Sequence, residues 1–286
     1  MDLDTSLKSL CIAFSGITAR VYCSSDEVYD TLQNQCRHLI STHHAASVDY
    51  GIFSDGRLWH LQRDGLLLYS EGSDKLIVQR LLHDISTVLA SRTTENILFH
   101  AAAIAKNGAG VIIPGATGSG KSTFAVWHAL GGYDFLTDEL VAVSPDGASM
   151  WGFIQPIRLR PGSGFLLPYL AHVATAEQVF DQLPDGVVLV SPDALGAGSV
   201  TYSAEPRMFA FPQYAPGQQA AIRRLSVGET VYRLTQLMLN GRGRANSVVP
   251  SITALAKRVP AIAIHHSGVT LSRDWIEEYW PLARAS

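Results

Sequence analysis

Three features of the sequence predict an α/β fold with a small α+β domain at its front. A short apolar run, Val111-Ile112-Ile113, leads into the glycine-rich stretch Gly115 to Ser122 and then into a helix-like segment. Apolar runs with strand-like alternation occupy residues 10 to 70. Between these regimes, Asp74 to Ala90 repeats apolar residues at helical intervals, which puts the division at 1-96 and 97-286.

A length of 286 residues suits one large domain or two smaller ones. With 47% hydrophobic and 16% charged residues the chain buries a sizeable core, which excludes a disordered protein. Its 22 basic and 25 acidic residues leave a net charge of −3, so no electrostatic footprint for non-specific nucleic-acid binding exists. Cys11, Cys23 and Cys36 form no Cys-x-x-Cys pair and have no histidine at ligand spacing, against both a disulfide scaffold and a zinc finger. The start, Met1-Asp2-Leu3-Asp4, is acidic where a secretory signal is basic, and no apolar run reaches the roughly 18 residues of a membrane span. These features predict a soluble cytoplasmic protein without a membrane or nucleic-acid partner.

In chain order, strand-like runs cover Cys11 to Val21, Val48 to Phe53 and Leu58 to Tyr69, with turns at Ser54-Asp55-Gly56 and Arg63-Asp64-Gly65. Helical spacing covers Glu27 to Thr42, and Ser73 stands where an N-cap is needed ahead of Asp74 to Ala90. The run Val111 to Ile113 reads as a buried strand, and Thr123 to Leu130 as a helix stopped by Gly131-Gly132. Phe165 to Val200, rich in Leu, Val, Ala and Asp, reads either as a substrate lid or as an excursion that completes the core.

The strongest signal is Gly115-Ala116-Thr117-Gly118-Ser119-Gly120-Lys121-Ser122, followed by Thr123, which fits G-x-x-x-x-G-K-[ST] at every fixed position. A chance match anywhere in such a chain is on the order of 0.5%, so the pattern predicts a P-loop. Its glycines let backbone N–H groups surround the phosphates of ATP, Lys121 reaches the β and γ phosphates, and the Ser122 hydroxyl ligates Mg²⁺. The following helix adds favourable partial charge at its N-terminus.

Only 17 positions after Lys121, Asp138-Glu139 interrupts the apolar run Phe135 to Val143. Burying adjacent carboxylates there costs several kcal/mol unless a metal or hydrogen bonds compensate, which points to a metal nearby. Adjacent residues on a regular strand point to opposite faces, so both acids reach one site only if the strand ends or bulges there. A GTPase is excluded by the lack of an Asn-Lys-x-Asp guanine reader. A transporter-type ATPase is suggested by Leu225-Ser226-Val227-Gly228-Glu229, yet Leu234 to Val249 contains no acid where that class has Asp-Glu.

The order His100-Ala101-Ala102-Ala103, strand, P-loop, short helix, Thr137-Asp138-Glu139 resembles the catalytic domain of HPr kinase/phosphorylase and related kinases of peptide-modification clusters, including lasso-peptide clusters. Gln155 to Ser163 is similar to the Pro-Ile-x-Leu-Lys-x-Gly segment of the HPr-kinase-related branch, with Arg160 at the Lys position, and Arg207 to Tyr214 is similar to another of its segments. The resemblance implies a P-loop kinase core of the HPr kinase/PEP carboxykinase type over residues 97-286. It implies that Asp138 takes the proton of a serine hydroxyl on a peptide or small protein and that Glu139, where the family has Asp, helps Ser122 hold Mg²⁺. It further implies that His100 tunes or relays the proton of Asp138, against the alternative of a packed histidine. Arg160 heads the candidates for stabilising the transferred phosphoryl group, followed by Arg158, then Arg207, Arg242 and Arg244 on the loop Gly241-Arg242-Gly243-Arg244. No acidic segment between Trp151 and Gly164 matches the one that supports phosphorolysis, so kinase activity without the reverse reaction is expected. The family forms rings, which makes a homo-oligomer the expectation. A small-molecule hydroxyl kinase and a non-catalytic ATP-sensing module are the alternatives. The paired histidines His43-His44 and His265-His266 show no ligand spacing and read as structural or exposed.

Overall fold

A computed structural model describes residues 7–43, 45–175, 178–196, 200–217, 219–241, 245–269 and 272–284. The chain divides into two units, Met1–Thr93 and Thr94–Ser286. The division precedes residue 96 because the long helix closing the first unit ends at its cap, Thr93, whose amide and hydroxyl both bond the Leu89 carbonyl.

In the first unit, β1 (Lys8–Phe14), β2 (Ile17–Cys23), β3 (Val48–Ser54), β4 (Trp59–Arg63) and β5 (Leu66–Glu71) form one sheet in that order. Only β2 and β3 are parallel, and α1 (Asp26–Gln35) makes the crossover between them. The single run expected over Cys11 to Val21 is a hairpin, turned at Ser15-Gly16 with φ of 52° and 81°. Asp64-Gly65 and Asn107-Gly108 repeat that positive-φ pair in two further hairpins, the conformation that matches the strands' own twist.

Helix α1 ends well short of Thr42. Leu39 and Ser41 instead bond backbone to backbone with Ala13 and Cys11, and Ile40 bridges Ile12, so the edge of β1 competes successfully for that segment. Helix α2 (Asp74–Arg92) is N-capped by Ser73, which accepts from the Lys75 amide. It buries Ile77, Val78, Leu81, Leu82, Ile85, Val88 and Leu89. Asp84 on α2 accepts from Tyr50 Oη at 2.8 Å and Arg63 Nη1 at 2.7 Å, a polar tie that fixes helix against sheet. All three cysteines are free and buried, and burial pushes the Cys23 and Cys36 thiols up to about 12, which keeps them unreactive.

The second unit opens with β6 (Ile97–Lys106) and β7 (Ala109–Pro114), followed by α3 (Lys121–Ala129), β8 (Asp134–Thr137), β9 (Leu140–Val143), β10 (Met150–Gly152) and β11 (Ile157–Leu159). Then come α4 (Leu167–Val173), β12 (Val179–Gln182), β13 (Val188–Val190), β14 (Ser203–Tyr214), β15 (Ala221–Arg224), α5 (Val227–Leu237), α6 (Ala245–Arg258), β16 (Ala261–His266) and α7 (Ser272–Arg284). An eight-stranded sheet runs β10-β9-β6-β7-β14-β16-β15, with β8 also paired to β6. Strands β7, β14 and β16 are mutually parallel; the rest of the pairing is antiparallel.

Strand alternation sorts this unit's core into two layers. Ala102, Ile104, Val111 and Ile113 share one buried cluster with Phe124 and Val126 of α3 and with Ile276 of α7. Phe99, Ala101, Ala103 and Ile112 share the other with Leu234 of α5 and Ile252 of α6. Helices therefore cover both faces, and the fold is mixed α/β with several sheets.

The described part of the Phe165 to Val200 segment belongs to the core. Leu166, Leu170, Val190 and Leu195 are buried with α3, and β12 and β13 join β11 in a three-stranded sheet. The stretch that suggested a transporter signature has a plainer role: Ser226 and Glu229 form a reciprocal capping box that starts α5. No helix among the described residues is long and apolar enough to cross a membrane.

Candidate functional site

Strand β6 aligns the glycine-rich loop with the acid pair. Its residue Ala101 pairs with Pro114, the last residue of β7, on one side, and its amide bonds the Glu139 carbonyl at 3.2 Å on the other. The loop leaves β7 at that level, and the acids leave the opposite edge at the same level. Strands lie about 4.8 Å apart, so the Pro114 and Glu139 backbones stand on the order of 10 Å from each other across β6, a gap into which the side chains of Lys121, Ser122 and Asp138 reach.

The loop turns through Gly118 at φ 84° and Gly120 at φ 95°, backbone conformations that a side chain strains. A Cβ on Gly115 would strike the Ser119 side chain, so the loop closes tightly at its start. Helix α3 begins at Lys121 with the Phe124 amide bonded to the Gly120 carbonyl at 2.8 Å and no side-chain cap. Its terminal N–H groups thus remain available to an anion. Lys121 is buried to 6% exposure, and its Nζ donates to the Ala116 carbonyl at 3.1 Å. Burial lowers its pKa, Glu139 and Asp138 oppose that shift, and the Arg160 charge adds to it. Ser119 Oγ lies buried without a hydrogen-bond partner among the described residues, an orphan that a bound anion would satisfy.

Asp138 and Glu139 occupy the gap between β8, which stops at Thr137, and β9, which starts at Leu140. This break is the local interruption that lets neighbouring acids turn the same way. Thr137 secures it: its hydroxyl donates to the Phe153 carbonyl at 2.7 Å and accepts from the Glu139 amide at 3.2 Å. Asp138 is 6% exposed, with the Ser122 hydroxyl placed to favour its charged form. Burial, with the Glu139 charge second, pushes its carboxyl up to about 7, while Ser122 and Lys121 pull it back.

His100 ends the β9-paired part of β6, opposite Leu140, and extends toward the α3 face, like Ala102 and Ile104. Its Nδ1 donates to the Glu139 carbonyl at 3.2 Å and lies 3.6 Å from Glu139 Oε1. The histidine's contacts are therefore with Glu139, where the sequence reading linked it to Asp138. Burial first, and Lys121 second, lower its pKa, so the ring is neutral near pH 7.

Arg158 and Arg160 are both exposed while Leu159 between them is buried, the alternation of an extended run. Arg160 starts a 3-10 turn, Pro161–Leu166, and acts electrostatically on Lys121. Thr123 Oγ1, in the first turn of α3, shares a 2.7 Å hydrogen bond with Ser163 Oγ in that turn, which ties Arg160's segment to the loop. Arg207 is engaged by Glu205 at 2.9 Å. Arg242 and Arg244 lie outside the described residues, as does His44.

Oxygen donors dominate the cluster. Ser122, Asp138 and Glu139 suit a hard cation, and no group of three or more His, Cys, Asp or Glu side chains among the described residues forms a self-sufficient metal cage. Such a donor set fits Mg²⁺, which arrives with phosphates and needs only one or two protein carboxylates. Sequence reasoning missed Ser163 and also Tyr214 and His266, which end β14 and β16 beside the loop. No spacing pattern marks them: Ser163 reaches α3 only through the turn after β11, and only the parallel pairing of β7, β14 and β16 brings the ends carrying Tyr214 and His266 together.

The fold and cluster define a mixed α/β protein whose glycine loop faces a buried Asp138 and a half-buried Glu139 across one strand. No protein-family model matches the chain, and no curated protein matches its sequence. Among solved structures, an HPr(Ser) kinase/phosphatase from Coxiella burnetii is similar at 11% identity, over 66% of this chain and 99% of that one, with a TM-score of 0.36. A likeness so distant carries no residue roles across.

Proposed function

We propose that this chain is an ATP-dependent phosphotransferase that moves the γ-phosphate to a serine hydroxyl of a peptide or small protein. The observation that carries the reading is Asp138: a carboxyl buried in the break between β8 and β9, within electrostatic reach of Lys121 and Ser122 at the foot of the glycine loop, whose burial pushes it up to about 7. A carboxyl poised there suits a general base at physiological pH.

In this mechanism the loop amides and the α3 N-terminus hold the β and γ phosphates, and Lys121 leaves the Ala116 carbonyl to meet them. Ser122 and Glu139 would hold Mg²⁺, which when bound would neutralise charge on the phosphate oxygens. Asp138 accepts the acceptor hydroxyl's proton as its oxygen bonds the γ-phosphorus and the bond to the β-phosphate oxygen breaks, releasing ADP. His100, through its bond to the Glu139 carbonyl, fixes the acid bend, and Arg160 lends positive charge from the tethered turn.

The test is mass spectrometry of serine-containing peptides incubated with the protein and Mg-ATP. Phosphoserine formed by the wild type and lost in Asp138→Asn supports the reading. Nucleotide binding with no acceptor labelled, in peptides or in a cell extract, favours a nucleotide sensor, and labelling of free serine alone favours a small-molecule kinase.

A further inference from the structure

The carboxyl ends of the three parallel strands meet at one place. Strand β7 ends in the glycine loop, β14 ends at Tyr214 and β16 ends at His266. Open α/β sheets bind ligands outside such carboxyl ends. His266 is only 4% exposed; neither ring nitrogen meets hydrogen-bond geometry with a described residue, and the Gly268 backbone is the one polar group that favours its charged form. The ring faces the loop: a Cβ placed on Gly120 would lie 3.8 Å from its Nε2 and 3.9 Å from its Cε1. Tyr214, half exposed, stands beside it with ring centroids 5.8 Å apart, and its Cβ would be 3.9 Å from the same point.

A buried imidazole with neither nitrogen in a well-formed hydrogen bond bears a desolvation penalty that the Gly268 backbone offsets only in part. Ser119 Oγ, in the same loop, is orphaned in the same way, and Lys121 is turned onto a loop carbonyl. Three side chains around one loop are thus underused together, and each is of a type that bonds phosphate oxygens. Gly120, without a side chain, leaves the path between His266 and the loop clear of a Cβ.

We infer that His266 is a phosphate-binding residue of the glycine loop, donating a ring N–H to an oxygen of the polyphosphate held there, with Tyr214 forming the adjacent wall. The inference rests on the loop being a nucleotide site. Burial, partly offset by the Gly268 backbone, lowers the pKa of His266, so its donor is a neutral imidazole and its partner an anion already held by the loop.

Calorimetric titration of the full chain with inorganic tripolyphosphate and with ATP tests this, using wild type, His266→Leu, His266→Gln and Lys121→Ala. His266→Leu is expected to weaken both ligands by about tenfold or more, the worth of one hydrogen bond to a charged acceptor. Without ligand it should melt at or above the wild-type temperature, because it removes orphaned polar atoms, and the glutamine donor should restore most of the affinity. Wild-type affinity for tripolyphosphate in His266→Leu overturns the inference, as does lost binding with a lowered melting temperature that glutamine does not rescue. If Lys121→Ala loses binding while His266→Leu keeps it, the loop reading survives and this inference alone falls. If the wild type binds neither ligand, both fall.

Discussion

Asp138→Asn separates two consequences of one buried carboxyl. In the folded protein its pKa is about 7 against an ordinary 3.8, a difference of roughly 3 units or about 4 kcal/mol. The sign follows from proton binding. A carboxyl whose folded pKa is raised holds its proton more tightly when folded, so stability is greatest below pH 3.8, declines as pH rises toward 7, and is flat above. Asparagine carries no charge and has no such penalty. In metal-free buffer, Asp138→Asn should therefore be more stable than wild type, with about 2.5 kcal/mol of the gain accruing between pH 5 and pH 8. Urea denaturation of the second unit at both pH values, followed by tryptophan fluorescence, measures it. Phosphate transfer should fall by about 10²- to 10⁴-fold while nucleotide affinity persists. A stability difference that does not grow with pH would refute the claim that desolvation of this carboxylate dominates the site.

Other outcomes follow from the same geometry. Lys121→Ala should cost nucleotide affinity, read by calorimetry, yet leave the melting temperature nearly unchanged, since its one side-chain hydrogen bond among the described residues is to the Ala116 carbonyl of the exposed loop. Thr123→Val breaks the 2.7 Å tie to Ser163 and should lower kcat more than it raises KM, with Thr123→Ser restoring the rate. Gly152→Ala would press a Cβ into the Leu136 backbone, which has no room to give, and should destabilise by about 2–3 kcal/mol in denaturant titrations. Ser226→Ala removes the α5 capping box at a cost of about 1 kcal/mol, and full wild-type stability in that variant would contradict the capping assignment.

What local pattern carries was readable at once. The spacing Gly115 to Ser122 needs a strand before it and a helix after it, and β7 and α3 are there. Asp138-Glu139 inside an apolar run implied a broken strand, and the break between β8 and β9 falls on those two residues. Ser73 announced α2 because an N-cap is a contact within one helical turn. Elements settled by competition were not readable: α1 stops early because the edge of β1 captures Leu39 to Ser41, a pairing some 28 residues apart in the chain. The hairpin at Ser15-Gly16 was hidden because apolar residues continue on both sides of the turn.

The sequence by itself determined the glycine loop, the neighbouring acid pair and the order of strand, loop and helix, since each depends on residues within a few positions of one another. Only the tertiary structure decided that His100 meets Glu139, that Ser163 ties Arg160's turn to α3, and that Tyr214 and His266 stand beside Gly120. The reason is the sheet. Parallel strands far apart in sequence place their carboxyl ends together only through register, and register is set by packing across the whole core.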